Sequence, residues 1–451
     1  MVDKTSSRVK RGWQTLKSLA PFPSLHVILH WPSTLQRLTI ATVHDRNAWR
    51  LCVEIFWASI LNSVAAFNAT LALRLGAESS HIGLLSSLPA LLAILVSIPT
   101  GRLLERQANR KGWVLGSLAL HRCGYALVVL VPLLPSVALN RGAVLVALLV
   151  TMSTSATFFG VGFNSMLADV VPERRRAAVF ATRNIISVTV TSLVTFLSGQ
   201  WLNRVTFPIN YQILYALGFV ASMVSLYVLT KVHVPEAAVA PSRSRGRPSV
   251  SAQWRSLRVI VHEQPAFVRL TLDTLLFNLP AWTVGPLYIL YFIRELGATD
   301  AWIGLHGMVA NVGAIAGYAL WQRVIGHWGE SRTLRRTAPG AGIYPMLVGL
   351  LHSLTPILFA VGLDGLIVPG INLSHFNIYL KSCPPDRRPL FMGLYATIMN
   401  IGAFVCPLLG VVLADRFGLP TVLLACGLVR IVAGLTFTVW PVRITDVGEI
   451  G

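Results

Sequence analysis

Ionisable side chains are scarce inside the long apolar stretches of this sequence, so the few that occur there mark where chemistry could be done. Glu54, Arg122, Asp273, Asp364 and Arg430 are of this kind. A charge at the centre of a bilayer costs about 2.5–3.5 kcal/mol on insertion scales, and such groups mark ion, proton or substrate paths. Asp364 stands out because it lies well inside the run 355–380. A lone carboxylate in such surroundings is a candidate proton carrier. The alternative is an acid in an outer vestibule, paired with a base such as Arg430. Glu54 and Asp273 are placed in the first turns of their helices, where the positive helix end favours an acid. Arg122 and Arg430 read as structural partners of an acid, with anion binding as the alternative.

Other chemistries lack their signatures. His121, His306, His352 and His375 share no spacing that would hold a metal. Cys52, Cys123, Cys383, Cys406 and Cys426 are scattered and read as small apolar residues. No GxxxxGK[ST] run offers a nucleotide site, and no loop gathers His, Asp and Glu as an enzyme would. The expectation is no metal, no cofactor and no catalysis.

The elements that position these residues follow from composition. Of 451 residues, 54% are hydrophobic and 12% charged, against about 25% charged in a soluble domain. A larger core cannot explain the deficit, because a bigger globule still needs a polar skin. The reading is a polytopic membrane protein. A bilayer core takes roughly 20 apolar residues per helix, and such runs fall near 51–73, 82–100, 112–134, 142–168, 179–202, 208–230, 266–293, 302–322, 338–353, 355–380, 390–413 and 419–440. The fold class is therefore all-α, with twelve transmembrane helices.

Charge sets the orientation. Net charge is +20, and its placement favours a membrane over nucleic acid as partner. With the N-terminus inside, the inside segments hold 31 of the 38 Lys and Arg, Arg183 among them. The outside connections hold only Arg74, Arg141, Arg204, Arg294 and Arg416. That asymmetry places both termini inside (N-in/C-in). No cleavable signal is expected, since the first apolar run begins near residue 51.

The chain also repeats itself. Leu75–Leu84 (LGAESSHIGL) and Leu296–Leu305 (LGATDAWIGL) share six of ten positions at an offset of 221. Phe163–Arg175 and Phe376–Arg388 share Phe, Asn, Leu, Pro, Arg and Arg at an offset of 213, with Glu173 matched by Asp386. The order is the same in both copies, so two six-helix halves are parallel repeats about an axis along the membrane normal. The organisation expected is a basic segment 1–48, a first half 49–230, a central inside loop 231–265 with an interfacial helix around Trp254, Leu257 and Ile260, a second half 266–441, and a tail 442–451.

With these features the chain resembles the major facilitator superfamily of secondary transporters. The loop after the second helix adds a local match: Gly101, Glu105, Arg106 and Arg110 follow the family's Gly-x-x-x-Asp-Arg-x-Gly-Arg-Arg, with Glu for Asp and departures at Ala108 and Asn109. The resemblance implies an inside charge latch that stabilises the outward-facing state. Its members here are Gly101, Glu105, Arg106, Arg110, Asp169, Arg174 and Arg175, with Asp386, Arg387 and Arg388 in the repeated Pro-acid-Arg-Arg turn. In the family the first, fourth, seventh and tenth helices line the central cavity, which makes Asp364, Asn62, Asn278 and Asn372 candidates for substrate or proton coupling.

The function expected is a secondary active transporter of a small organic solute by alternating access, proton-coupled and with a lean towards export. The apolar and aromatic cavity helices favour an amphiphilic solute. The partners expected are that solute, protons and the lipid bilayer of the plasma (inner) membrane, for a monomeric protein. Two alternatives remain open at this point: a non-transporting or lipid-handling protein on the same fold, and a membrane-embedded transferase.

Overall fold

The computed structural model describes residues 43–105, 107, 110–135, 140–171, 173–234, 264–383 and 388–439. Among the described residues the helices form twelve segments, in two sets of six. In chain order they are α1 (Val43–Ala65, resumed as Asn68–Arg74), α2 (Ser79–Glu105), α3 (Arg110–Leu130), α4 (Arg141–Val170), α5 (Glu173–Arg204) and α6 (Ile209–Thr230). The second half repeats the set: α7 (Pro265–Leu290, closed by a π-turn Tyr291–Glu295), α8 (Asp300–Trp328), α9, α10 (Leu354–Ser382), α11 (Arg388–Phe417) and α12 (Leu419–Val439). Eleven of them are long and apolar enough to span a bilayer by themselves.

The twelfth, α9, differs from the expected run 338–353. It starts earlier and comes in three pieces: Glu330–Thr337, a 3-10 turn Ala338–Gly342, and Ile343–Leu350. Pro339, Gly340 and Gly342 interrupt its helical hydrogen bonding. Its first piece carries Arg332, Arg335 and Arg336, of which Arg332 and Arg336 are exposed and Arg335 donates to Ser331 Oγ at 3.1 Å. Arg336 also lies 4.3 Å over the Trp328 ring.

The repeated LGA motif has a backbone cause. Gly76 and Gly297 both adopt positive φ, +87° and +65°, just past α1 and α7. The amides of Ala77 and Ala298 then turn back to the carbonyls of Ala72 and Phe292, at 2.9 and 2.7 Å. A left-handed residue ending a helix in this way favours glycine. Gly101, by contrast, lies inside α2, and a Cβ there would meet nothing within 4 Å. It makes neither a turn nor a close approach.

The hydrophobic core divides unevenly. One large cluster draws on both halves: Leu61, Val64, Phe67, Leu71 and Tyr211 from the first, Leu287, Leu290, Tyr291, Val348 and Val411 from the second. These residues lie at or towards the outer ends of their helices. Towards the inner ends each half has a core of its own. Leu51, Leu118, Met166, Leu167 and Leu229 serve the first, and Phe267, Leu270, Phe277, Ile378 and Phe391 the second. The halves are joined outside and separate inside.

Candidate functional site

The outer junction has a charged clasp. Arg74, ending α1, meets Asp300, starting α8, through Nη2–Oδ2 at 3.0 Å and Nε–Oδ1 at 3.2 Å. Tyr211 of α6 donates its hydroxyl to the same Oδ1 at 2.9 Å. Asp300 is 3% exposed. Beside it, Arg294 donates to Ser79 Oγ at 2.6 Å and to the Ala77 carbonyl at 3.0 Å. These bonds tie the first half to the second at the outer ends of their helices. Arg74 and Arg294, counted from sequence as topological charges, are thus inter-half ligands.

Below the clasp, α5 and α8 touch backbone to backbone. A Cβ on Gly199 would lie 2.6 Å from the Asp300 carbonyl oxygen, and one on Gly304 would lie 2.7 Å from that of Thr195. Only glycine permits this approach. Between α2 and α11, a Cβ on Gly83 would lie 2.9 Å from the Cγ2 methyl of the Val411 side chain.

Within the first half, Glu54 of α1 is 3% exposed and sits between two arginines. Arg183 of α5 pairs with its Oε2 at 2.9 Å, and Arg122 of α3 approaches Oε1 at 3.9 Å. Ser225 of α6 donates to Oε1 at 2.9 Å and accepts from Arg122 at 2.8 Å. The arginines are further anchored on the carbonyls of Ser222 and Leu51. Four helices are therefore tied at one carboxylate. Two expectations are corrected. Glu54 does not occupy a first turn, because α1 begins at Val43. Arg183 is no inner-surface charge: it is 7% exposed within α5, held by its counter-ion instead of headgroups. Asp273 likewise sits two turns into α7, where Arg269 lies 3.8 Å away.

In the second half, Asp364 of α10 is half-buried and lies within electrostatic reach of Arg430 on α12 and of Tyr288 and Tyr344 on α7 and α9. The Tyr288 and Tyr344 rings are 5.2 Å apart, and Arg430 lies 4.8 Å over Phe277. Among the described residues, Asp364 Oδ1 and Arg430 Nε have no hydrogen-bond partner. Glu54 has an arginine within 4 Å of each oxygen, although its Oε2, like Asp364 Oδ1, accepts no hydrogen bond among the described residues. Further in, His375 Nε2 and Thr274 Oγ1 are 2.7 Å apart, beside the rings of Tyr379 and Tyr395.

The other candidates are dispersed. Asn62 and Asn372 are exposed on α1 and α10, and Asn278 is half-buried on α7. Among the described residues no hydrogen bond ties them to Asp364. Of the latch, Arg110 is half-buried at the start of α3. Arg106, Asp386 and Arg387, and the side chains of Glu105, Asp169, Arg174, Arg175 and Arg388, lie outside what the structure describes. So do residues 1–42, most of the central loop with Trp254, Leu257 and Ile260, and residues 440–451. Among the described residues no cluster of three His, Cys, Asp or Glu could hold a metal.

Sequence reasoning missed Tyr211, Tyr344 and Asp300, and it took Arg183 for an inside charge. Only Asp300 carried a signal, lying within the repeated LGATDAWIGL segment.

This duplicated architecture has known counterparts. The family model of the Major Facilitator Superfamily matches residues 52–379 and again 270–447. The chain belongs to the Major Facilitator Superfamily, and the protein is a multi-pass membrane transporter of that family. Among curated proteins it is similar to the multidrug resistance protein MdtG of Dickeya zeae, 28% identical over 173 residues. That similarity spans 36% of this chain and 41% of the relative. Three solved structures share the fold. A variant of the nucleoside transporter NupG aligns with a TM-score of 0.66 at 10% identity, over 87% of this chain and 99% of its own. A POT family transporter in complex with a thioalcohol-conjugated peptide aligns at 0.66 and 14%, over 89% and 97%. A bacterial homologue of the human lysosomal transporter Spinster, inward-facing and unoccupied, aligns at 0.59 and 14%, over 88% and 95%.

Proposed function

We propose that this transporter is a secondary active carrier that exports a small amphiphilic organic solute across the plasma (inner) membrane as a monomer, by alternating access and in exchange for protons. The observation that carries this reading is the division of the core. One apolar cluster and one set of polar bonds join the halves at the outer ends, while the inner ends have separate cores. Such a joint lets the two halves rock about a site between them, and it corresponds to an inward-open state.

Asp364 is the proposed proton carrier, with an unpartnered oxygen facing Arg430 at mid-helix. Asn62, Asn278 and Asn372 are proposed to meet the solute. The acids and bases from Gly101 to Arg110, with Asp169, Arg174, Arg175, Asp386, Arg387 and Arg388, are proposed to latch the inner face when it closes. The direction of export draws on the resistance protein to which part of the chain is similar. Uptake of labelled organic cations and neutral amphiphiles into inside-out proteoliposomes, with and without a pH gradient, tests the reading. Accumulation only with the gradient supports it; gradient-independent equilibration across the panel overturns the coupling.

A further inference from the structure

The outer joint is built twice over. Arg74, ending α1, reaches Asp300 at the start of α8, and Arg294, ending α7, reaches Ser79 at the start of α2. The repeat that relates LGAESSHIGL to LGATDAWIGL sets Ser79 against Asp300 and His81 against Trp302. The two clasps are therefore counterparts, and they differ in charge. Asp300 gives Arg74 a carboxylate, whereas Arg294 has the Ser79 hydroxyl at 2.6 Å and the Ala77 carbonyl at 3.0 Å, both neutral.

The helix starts behind the clasps differ as well. α8 is capped by Thr299, whose Oγ1 accepts from the Trp302 amide at 3.3 Å. At the start of α2 the Glu78 amide donates to Nδ1 of His81 at 3.1 Å, and the Glu78 carbonyl accepts from the His81 amide at 3.1 Å. A side chain three residues into a helix that reaches back to the cap amide is one arm of a capping box, an arm supplied as a rule by Glu or Gln. Here a histidine supplies it, so this cap titrates and that of α8 does not. A backbone amide is a donor only, which means that Nδ1 must carry a lone pair and no proton while the bond exists. The bond lies at the exposed surface, within reach of water.

We propose that His81 is a pH sensor for the outer joint: its protonation from the outer side releases the start of α2 and with it the Arg294–Ser79 clasp, so that external acid opens the outer face. Histidine is the ordinary side chain whose charge changes between about pH 5 and pH 8. Once Nδ1 is protonated, the ring offers no lone pair to the Glu78 amide, and the first turn of α2 loses its cap. The imidazolium then sits at the positive end of the helix, two residues from the Ser79 hydroxyl that holds the Arg294 guanidinium. Both effects act in one direction. The other charged groups on the elements around this end of α2 are Glu78 beside it, Arg74 ending α1, Arg141 starting α4, Glu295 ending α7, and Asp415 and Arg416 in the last turn of α11. Arg74 is engaged by Asp300, and Arg141 by the Leu134 carbonyl. The inference rests on the reading of this joint as the outer gate of an alternating-access carrier.

The test measures distances between spin labels on the outer ends of α2 and α7, with the full chain in proteoliposomes at an outer pH of about 8 and of about 5 and the inner pH held constant. In the wild type the ratio of open to closed distances should rise about fivefold on acidification, the size of losing one helix cap. His81→Gln keeps an acceptor for the Glu78 amide; it should stay closed and lose the response. His81→Lys, charged at both pH values, should be open at both. A response of wild-type size in His81→Gln overturns the sensor. Asp300→Asn loosens the other clasp and should open the joint at either pH. If it opens while the wild type ignores pH, the sensor falls and the gate stands; if it stays closed at both, the reading of the joint as a gate falls with it.

Discussion

Arg74 and Asp300 form a two-pronged ion pair that joins the halves of the protein across 226 residues of chain. Tyr211 adds a third bond to the same carboxylate. Opening the outer face must break all three, so this group sets much of the balance between the two states.

Asp300→Asn should therefore shift the protein towards the outward-open form. Breaking a fully buried pair costs about 3–5 kcal/mol. The Arg74 side chain is 37% exposed, which screens the pair and reduces the expected effect to about 1–2 kcal/mol. That is roughly a five- to thirtyfold change in the open-to-closed ratio. Distances between spin labels on the outer ends of α1 and α8 would lengthen in the variant. An unaltered distance distribution would remove the clasp from the gating balance.

Gly304→Ala acts on the same junction by bulk. The added methyl would lie 2.7 Å from the Thr195 carbonyl and 3.0 Å from the Gly199 Cα, neither of which is the end of a flexible side chain. The outer seam should fail to close, and cysteines placed on the outer halves of α5 and α8 should become reactive to a membrane-impermeant maleimide. Wild-type reactivity would show that the backbone approach is dispensable.

Glu54→Gln should destabilise the first half as a whole. It leaves Arg122 and Arg183 buried side by side without their counter-ion, a loss of about 3–5 kcal/mol. The midpoint of thermal unfolding should fall, and Glu54→Gln with Arg183→Gln should lose less than the sum of the two single changes. Strict additivity would mean that the 2.9 Å pair contributes no coupling.

Asp364→Asn should abolish solute movement driven by a proton gradient while sparing exchange of labelled for unlabelled solute. Exchange needs the halves to rock but no net proton transfer. Gradient-driven uptake at the wild-type rate would exclude Asp364 from coupling. Loss of both activities would assign it to solute binding instead.

Much of the frame was legible in advance because it depends on local signals. The twelve runs, the LGA repeat and the inside bias of Lys and Arg each lie within one segment or its immediate flank. Helices overran the apolar runs because polar and basic residues continue a helix into the interface; α1 begins at Val43, not near 51, which moved Glu54 from a first turn to mid-helix. The run expected at 338–353 was displaced because Pro339 and the adjacent glycines divide α9, and its charged first piece contributes no hydrophobic signal. For the site, Asp364 stood out as an acid in apolar surroundings. Its neighbours Tyr288 and Tyr344 did not, since a tyrosine in a membrane helix is ordinary until something polar is opposite it.

Hydropathy, charge bias and repetition are written along the chain, so twelve lipid-bathed helices, their orientation and their arrangement as two like halves could be read from it directly. That Glu54 lies between Arg122 and Arg183, that Asp300 reaches Arg74 and Tyr211, and that the halves join at the ends bearing those residues, is visible only in three dimensions. Those contacts depend on the rotation of each helix about its axis and on which helices become neighbours. Both are settled by packing between segments more than a hundred residues apart, as where Gly199 admits Gly304.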